Sequence, residues 1–222
     1  MNLNEVLAEL KSLGTDKNKK VYAKEGVKRE TFGVGFNHLE KMKKKIKTNH
    51  ELAVRLWQTN ILEAMMLATM IADPAMIDTK LLKKWAKDLT NYFLADSFAK
   101  LVAQTNNAVE FTEQWIRSSN EWLSRAGWSI MEMIAIHNKN LTNDYFEKSL
   151  IFLEENVHSC KNKTISAMNS ALVAIGLRNK GLREKASATA KRIVKSDEVN
   201  NLKQVINLDI IDNIDKGWEA KE

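Results

Sequence analysis

From Asn49 onward the chain repeats in register rather than in residue identity, and this recurrence limits the possible fold more than any other feature. Each repeat opens with a helix that carries a late bulky apolar residue. A few polar residues follow, and then a second, more apolar helix. The spacing predicts first helices over 51–58, 80–87, 109–117 and 145–154, three of them with tryptophan near the end, at Trp57, Trp85 and Trp115. Second helices are predicted over 61–72, 92–104, 121–137 and 163–176, with starts 31, 29 and 42 residues apart. A further pair, 182–195 and 199–214, completes the array.

No such pair can bury its apolar face without neighbours, so the pairs must stack. The expected fold is therefore all-α: an α-solenoid of antiparallel helix pairs of the HEAT kind, an armadillo-type superhelix with a concave basic groove lined by the second helices, forming one domain over 1–222. One proline and eight glycines in 222 residues suit long helices with short connections. Ahead of the repeats, Leu3, Val6, Leu7, Leu10 and Leu13 have the spacing of an amphipathic helix over 2–13. A short helix near 17–25, a loop ending at Gly33-Val34-Gly35 and a helix over 37–46 follow. The recurring tryptophans read as plugs between layers, because buried aromatics mostly pack. Trp122 and Trp128, in the helix over 121–137, have more chance of facing the concave wall.

Cys160 is the single cysteine, so no intramolecular disulfide forms, and the N-terminus has no long apolar run. A cytoplasmic protein is expected. The four histidines are scattered and Cys160 lies in a polar turn, so no metal, no cofactor and no thiol nucleophile are expected. The net charge of +6 is unevenly spread. Residues 1–50 hold twelve Lys or Arg against six Asp or Glu, and residues 160–196 hold nine against one. Two basic blocks far apart in sequence suit a polyanion held between the ends of a curved protein, and two solvated helix faces account for them equally well.

Asp96 and Arg125 each sit four residues inside a second helix. Tyr92 is one turn before Asp96 on the same face, and Met65 and Met66 occupy the same level in the preceding repeat. If adjacent second helices stack in parallel, an acid and a base project side by side. Such an acid could stabilise a developing positive charge or orient water, and such a base could grip a phosphate. An interhelical salt bridge that only fixes register accounts for the same pair.

The chain resembles the DNA alkylation repair family, the AlkD-type HEAT-like repeat DNA glycosylases, over roughly residues 30–180. The resemblance is carried by the order of Phe32-Gly33-Val34, Glu51-Leu52-Ala53, Leu56-Trp57, Glu63-Ala64, Met70-Ile71-Ala72-Asp73-Pro74, Asp96, Trp122, Arg125-Ala126-Gly127, Asn169, Ala171-Leu172, Ile175-Gly176 and Arg178-Asn179. It implies excision of purines alkylated at N3 or N7 from double-stranded DNA by a monomer, through an oxocarbenium-like sugar. Asp96 matches the family's carboxylate, which stabilises that cation and positions water. Arg125 matches the arginine that binds the DNA backbone. Tyr92 and Trp128 would shape the site, and Lys163 and Arg178 are further candidate DNA contacts. Two departures from the pattern stand out: Tyr92 replaces one site tryptophan and Ser170 the other. The alternative is a noncatalytic DNA-binding or protein-interaction scaffold of the same architecture.

Overall fold

The computed structural model describes residues 1–199, 206 and 209–220. Among these lie thirteen α-helices, a 3-10 turn at Val157–Ser159 and no strand. The helices gather into two compact units, Met1–Asn107 and Ala108–Glu222.

The first unit holds α1 (Leu3–Leu13), α2 (Asp16–Lys24), α3 (Phe36–Ile46), α4 (His50–Gln58), α5 (Leu62–Ile71), α6 (Thr79–Ala86) and α7 (Tyr92–Val102). Its centre is α5, in which every residue except Met70 is buried, so neighbours must cover it on all sides. Three residues link α4 to α5, which forces an antiparallel pair, and α3 and α7 pack on α5 as well. Between first helices the predicted plug is present: the Trp57 ring of α4 stacks on Trp85 of α6, with centroids 4.2 Å apart and planes within 2°. Such a pair contributes about 0.5–1.5 kcal/mol beyond the area that it buries. The Trp57 indole N–H donates to Asp88 at 2.8 Å, so its polar edge is satisfied too.

One residue of α5 is charged and fully buried. Glu63 accepts hydrogen bonds from the backbone N–H groups of Phe32 (3.1 Å), Gly33 (2.6 Å) and Val34 (3.0 Å), and from the Thr31 hydroxyl. A buried carboxyl group is tolerated only with such partners. The loop before α3 is thereby tied to the core. Gly33 has φ +82 and lies where a Cβ would meet the Thr15 carbonyl oxygen at 2.3 Å, so both conformation and space require glycine.

The second unit holds α8 (Ala108–Trp115), α9 (Glu121–His137), α10 (Asn143–Asn156), α11 (Asn162–Gly176), α12 (Lys180–Val199) and α13 (Asp209–Glu219). Here α9 packs between α8 and α11, and α11 also meets α10, α12 and α13. Gly127 lets α9 press on the end of α8: a Cβ there would lie 2.6 Å from the Ile116 amide nitrogen. Trp115 is buried against Phe111 at 4.5 Å.

Observed helices match the predicted ones to within about two residues through α11, because caps fix their starts. Asn49, Asn91 and Asn120 each accept from backbone N–H groups at the head of α4, α7 and α9. Of the helix expected over 199–214, residues 200–205, 207 and 208 lie outside the described residues, and α13 carries on to Glu219. Among the described residues no helix is long and apolar enough to cross a membrane.

Candidate functional site

In the first unit, α7 turns Leu94, Ala95, Phe98, Leu101 and Val102 inward, which leaves Tyr92, Phe93, Asp96 and Lys100 on its other faces. These four line a cavity of about 420 Å³, together with Asn18, Val21 and Tyr22 of α2, Phe36 at the start of α3 and Met66 of α5. The expected register holds here, since Met66 and Asp96 come together at one level. Asp96 is partly exposed on this wall.

Aromatic rings build much of the wall. Tyr92 stacks on Phe93 with centroids 4.0 Å apart, and Tyr22 meets Phe93 edge-on at 4.9 Å. The Tyr22 hydroxyl donates to the Val34 carbonyl at 2.6 Å, which ties α2 to the loop that Glu63 holds. Burial, with smaller contributions from Glu63 and Tyr92, pushes the Tyr22 phenol up to about 12. At the rim the Lys100 ammonium lies 5.2 Å from the Phe36 ring centroid, and that ring is 41% exposed. Ser97 shares a 2.6 Å hydrogen bond with Thr69 of α5, which fixes α7 on its neighbour.

In the second unit, Arg125 lies four residues after the first residue of α9, as Asp96 does in α7. Its surroundings differ. Arg125 is only 9% exposed, and its guanidinium donates to the Lys163 carbonyl at the head of α11. The Thr164 hydroxyl donates to the Glu121 carbonyl at 3.1 Å, so the starts of α9 and α11 are laced together. Lys163 is partly exposed beside them.

Two expectations change here. Trp128 does not face a ligand: it is 0% exposed, sealed in the core and stacked toward Phe152. Neighbours on both flanks of α9 bury it, and the helical spacing that grouped it with Arg125 does not register them. Arg178 works as a brace, with its guanidinium donating to the carbonyls of Ile134, Ala135 and Leu141 and lying 4.1 Å from the Phe146 ring. Ala135 lies in the last turn of α9, where backbone carbonyls run out of partners within the helix. Ser170 is exposed on α11, and Trp122 is partly exposed.

A second cavity, of about 460 Å³, lies beside the α8–α9 turn and is lined by Arg117, Glu121, Lys161 and Cys160 among others. Burial raises the Cys160 thiol, which keeps it a poor nucleophile at neutral pH. Among the described residues no group of three or more His, Cys, Asp or Glu side chains could hold a metal ion.

Sequence reasoning missed the α2 and Phe36 wall of the first cavity and the buried role of Glu63. For Glu63 a signal existed: it is the only charged residue in Leu62–Ile71, where an ordinary amphipathic helix would carry several. Nothing in the pattern of Asp16–Lys24 marked Val21 and Tyr22 as cavity walls.

Comparison with known proteins converges on one assignment. The chain is 27% identical over 193 residues to the uncharacterized protein Lin0241 of Listeria innocua, covering 84% of each chain. It is 28% identical over the same length to the uncharacterized protein Lmo0209 of Listeria monocytogenes, again with 84% coverage of both. A solved structure from "a new family of proteins related to the HEAT-like repeat DNA glycosylases with affinity for branched DNA structures" matches with a TM-score of 0.86 and 28% identity, over 100% of this chain and 95% of that one. The family model described as DNA alkylation repair enzyme matches residues 5–199. With the HEAT-like helical architecture and a match over most of its length, the chain belongs to the DNA alkylation repair family.

Proposed function

We propose that this protein, acting as one HEAT-like repeat domain and as a cytoplasmic monomer, binds DNA and prefers branched DNA over intact duplex. The observation that carries this reading is the state of the aromatic positions. Ser170 is an exposed residue without a ring, and Trp128 is closed into the core, so the second unit offers little to hold a sugar for excision. Exposed lysines remain along α3 (Lys41, Lys43, Lys44), at its C-cap (Lys47) and along α12 (Lys191, Lys195), suited to phosphates. The full-length likeness to a structure described as having affinity for branched DNA agrees with this choice of ligand. Lys163, partly exposed where α9 and α11 begin and with its carbonyl held by the Arg125 guanidinium, contacts a backbone phosphate in this scheme.

The test is fluorescence anisotropy with a labelled junction and a duplex of matched length, each at several salt concentrations. The junction should bind more tightly, and both affinities should fall steeply as salt rises, because lysine contacts release counterions. Equal affinity for the two DNAs overturns the preference, and no binding at low salt overturns DNA as the ligand.

A second reading keeps the family chemistry. It is favoured by the partly exposed Asp96 beside Tyr92 on an open cavity wall. In that scheme the Asp96 carboxylate stabilises the oxocarbenium-like sugar and orients water as an N3- or N7-alkylated purine departs. DNA containing 7-methylguanine should then release free base, and Asp96→Asn should abolish the release. No release above background, with a control glycosylase active on the same DNA, excludes this reading.

A further inference from the structure

The cavity of the first unit is built for a flat, edge-polar guest. Its walls are rings (Tyr92, Phe93 and the exposed Phe36) with Val21 of α2 opposite, itself 47% exposed. Polar groups among the lining residues include the Asn18 amide, the Asp96 carboxyl and, at the rim, the Lys100 ammonium. About 420 Å³ is at the small end for ligand sites, room for one ring system rather than an extended chain. The rim is cationic on two sides. Lys17 and Lys24 are exposed and lie one turn before and after Val21 on its helix face, and Lys100 stands across from them on α7.

Given DNA as the ligand, the reading on which this step rests, we infer that the cavity takes one unpaired nucleobase from the bound DNA. The base stacks on the rings, its polar edge meets Asn18 and Asp96, and its phosphates lie among Lys17, Lys24 and Lys100. Every base offers a π face to such a wall, so an unpaired position is recognised with little regard to its identity. Intact duplex has no such base to offer. The cavity thus gives the preference for branched DNA a cause, since nucleotides at a branch point are already unstacked and need no extrusion.

The experiment uses the full chain and a three-way junction that carries 5-iododeoxyuridine at an unpaired branch nucleotide, with a matched duplex holding the same base paired. Binding is followed by anisotropy, and photocrosslinks are mapped by mass spectrometry. The crosslink is expected at Phe36, Tyr92 or Phe93 in the junction and absent in the duplex. Phe36→Ala, which trims an exposed ring, should weaken junction binding about tenfold while leaving duplex binding unchanged, in line with the loss of one stacking surface. Tight junction binding with crosslinks elsewhere, or equal effects of Phe36→Ala on both DNAs, overturns the cavity assignment and leaves DNA binding standing. No binding to either DNA overturns both.

Discussion

The two second helices α7 and α9 carry their charged residue at the same depth, yet one presents it and the other encloses it. Asp96 is partly exposed on a cavity wall, whereas Arg125 is 9% exposed and held by a carbonyl of α11. The difference arises from what flanks each helix. Within its unit α9 is packed between α8, which Gly127 admits to close range, and α11. On α7 one side meets α5, and another faces the gap left by α2 and the start of α3. Equal register therefore does not give equal access: the neighbours decide which positions can meet a ligand.

Substitutions can break or sharpen this contrast. The largest effect belongs to the enclosed helix: Trp128→Ala should lower stability by about 3–5 kcal/mol, as for other buried aromatics cut to alanine. Urea unfolding measures it, and a loss below about 1 kcal/mol would show that α9 is not sealed as described. Next is Glu63→Gln, which turns an amide N–H₂ toward backbone donors and should cost about 2–3 kcal/mol. The same variant should loosen the loop before α3, so faster amide exchange at Gly33 and Val34 is the more specific readout.

A third effect is visible in alkali. The Tyr22 phenol is raised from 10 to about 12 in the folded protein, so the fold holds that proton more tightly than the unfolded chain does. Its contribution is complete below pH 10 and is lost as pH climbs from about 10 to 12, about 2–3 kcal/mol in all at 1.36 kcal/mol per unit. Tyr145 is also raised to about 12, so the comparison must be between wild type and Tyr22→Phe, which should show the smaller alkaline loss. The smallest effect falls on the open helix. Asp96→Asn should change stability by no more than about 0.5 kcal/mol, as expected of a partly exposed side chain. A much larger loss would place Asp96 among the enclosed groups, with Arg125.

Helical periodicity made the array legible, with boundaries within about two residues through α11, and the structure shows asparagine caps at the starts of α4, α7 and α9. Trp57, Trp85 and Trp115 were also readable as plugs, because each recurs late in a first helix and only packing explains that recurrence. The access of each side chain was not readable. Trp128 and Arg125 share a stretch, Ser124 to Met131, that is buried all round, and such a stretch has no outer face for periodicity to reveal. The cavity depends on α2, whose residues lie seventy or more positions before Asp96, and no local pattern encodes a meeting at that distance. Ser170 was legible as a departure from the family pattern, and the structure leaves it exposed on α11.

Glu63 has one more consequence. It is not among the residues that line the cavity, yet it fixes the loop on whose Val34 carbonyl the Tyr22 hydroxyl rests. A substitution at position 63, or among the α5 residues that seat it, would move the α2 wall against α7 and change the width of the opening. Relatives with identical lining residues could therefore differ in what they admit, and directed evolution of the site should randomise this hidden support along with the visible walls.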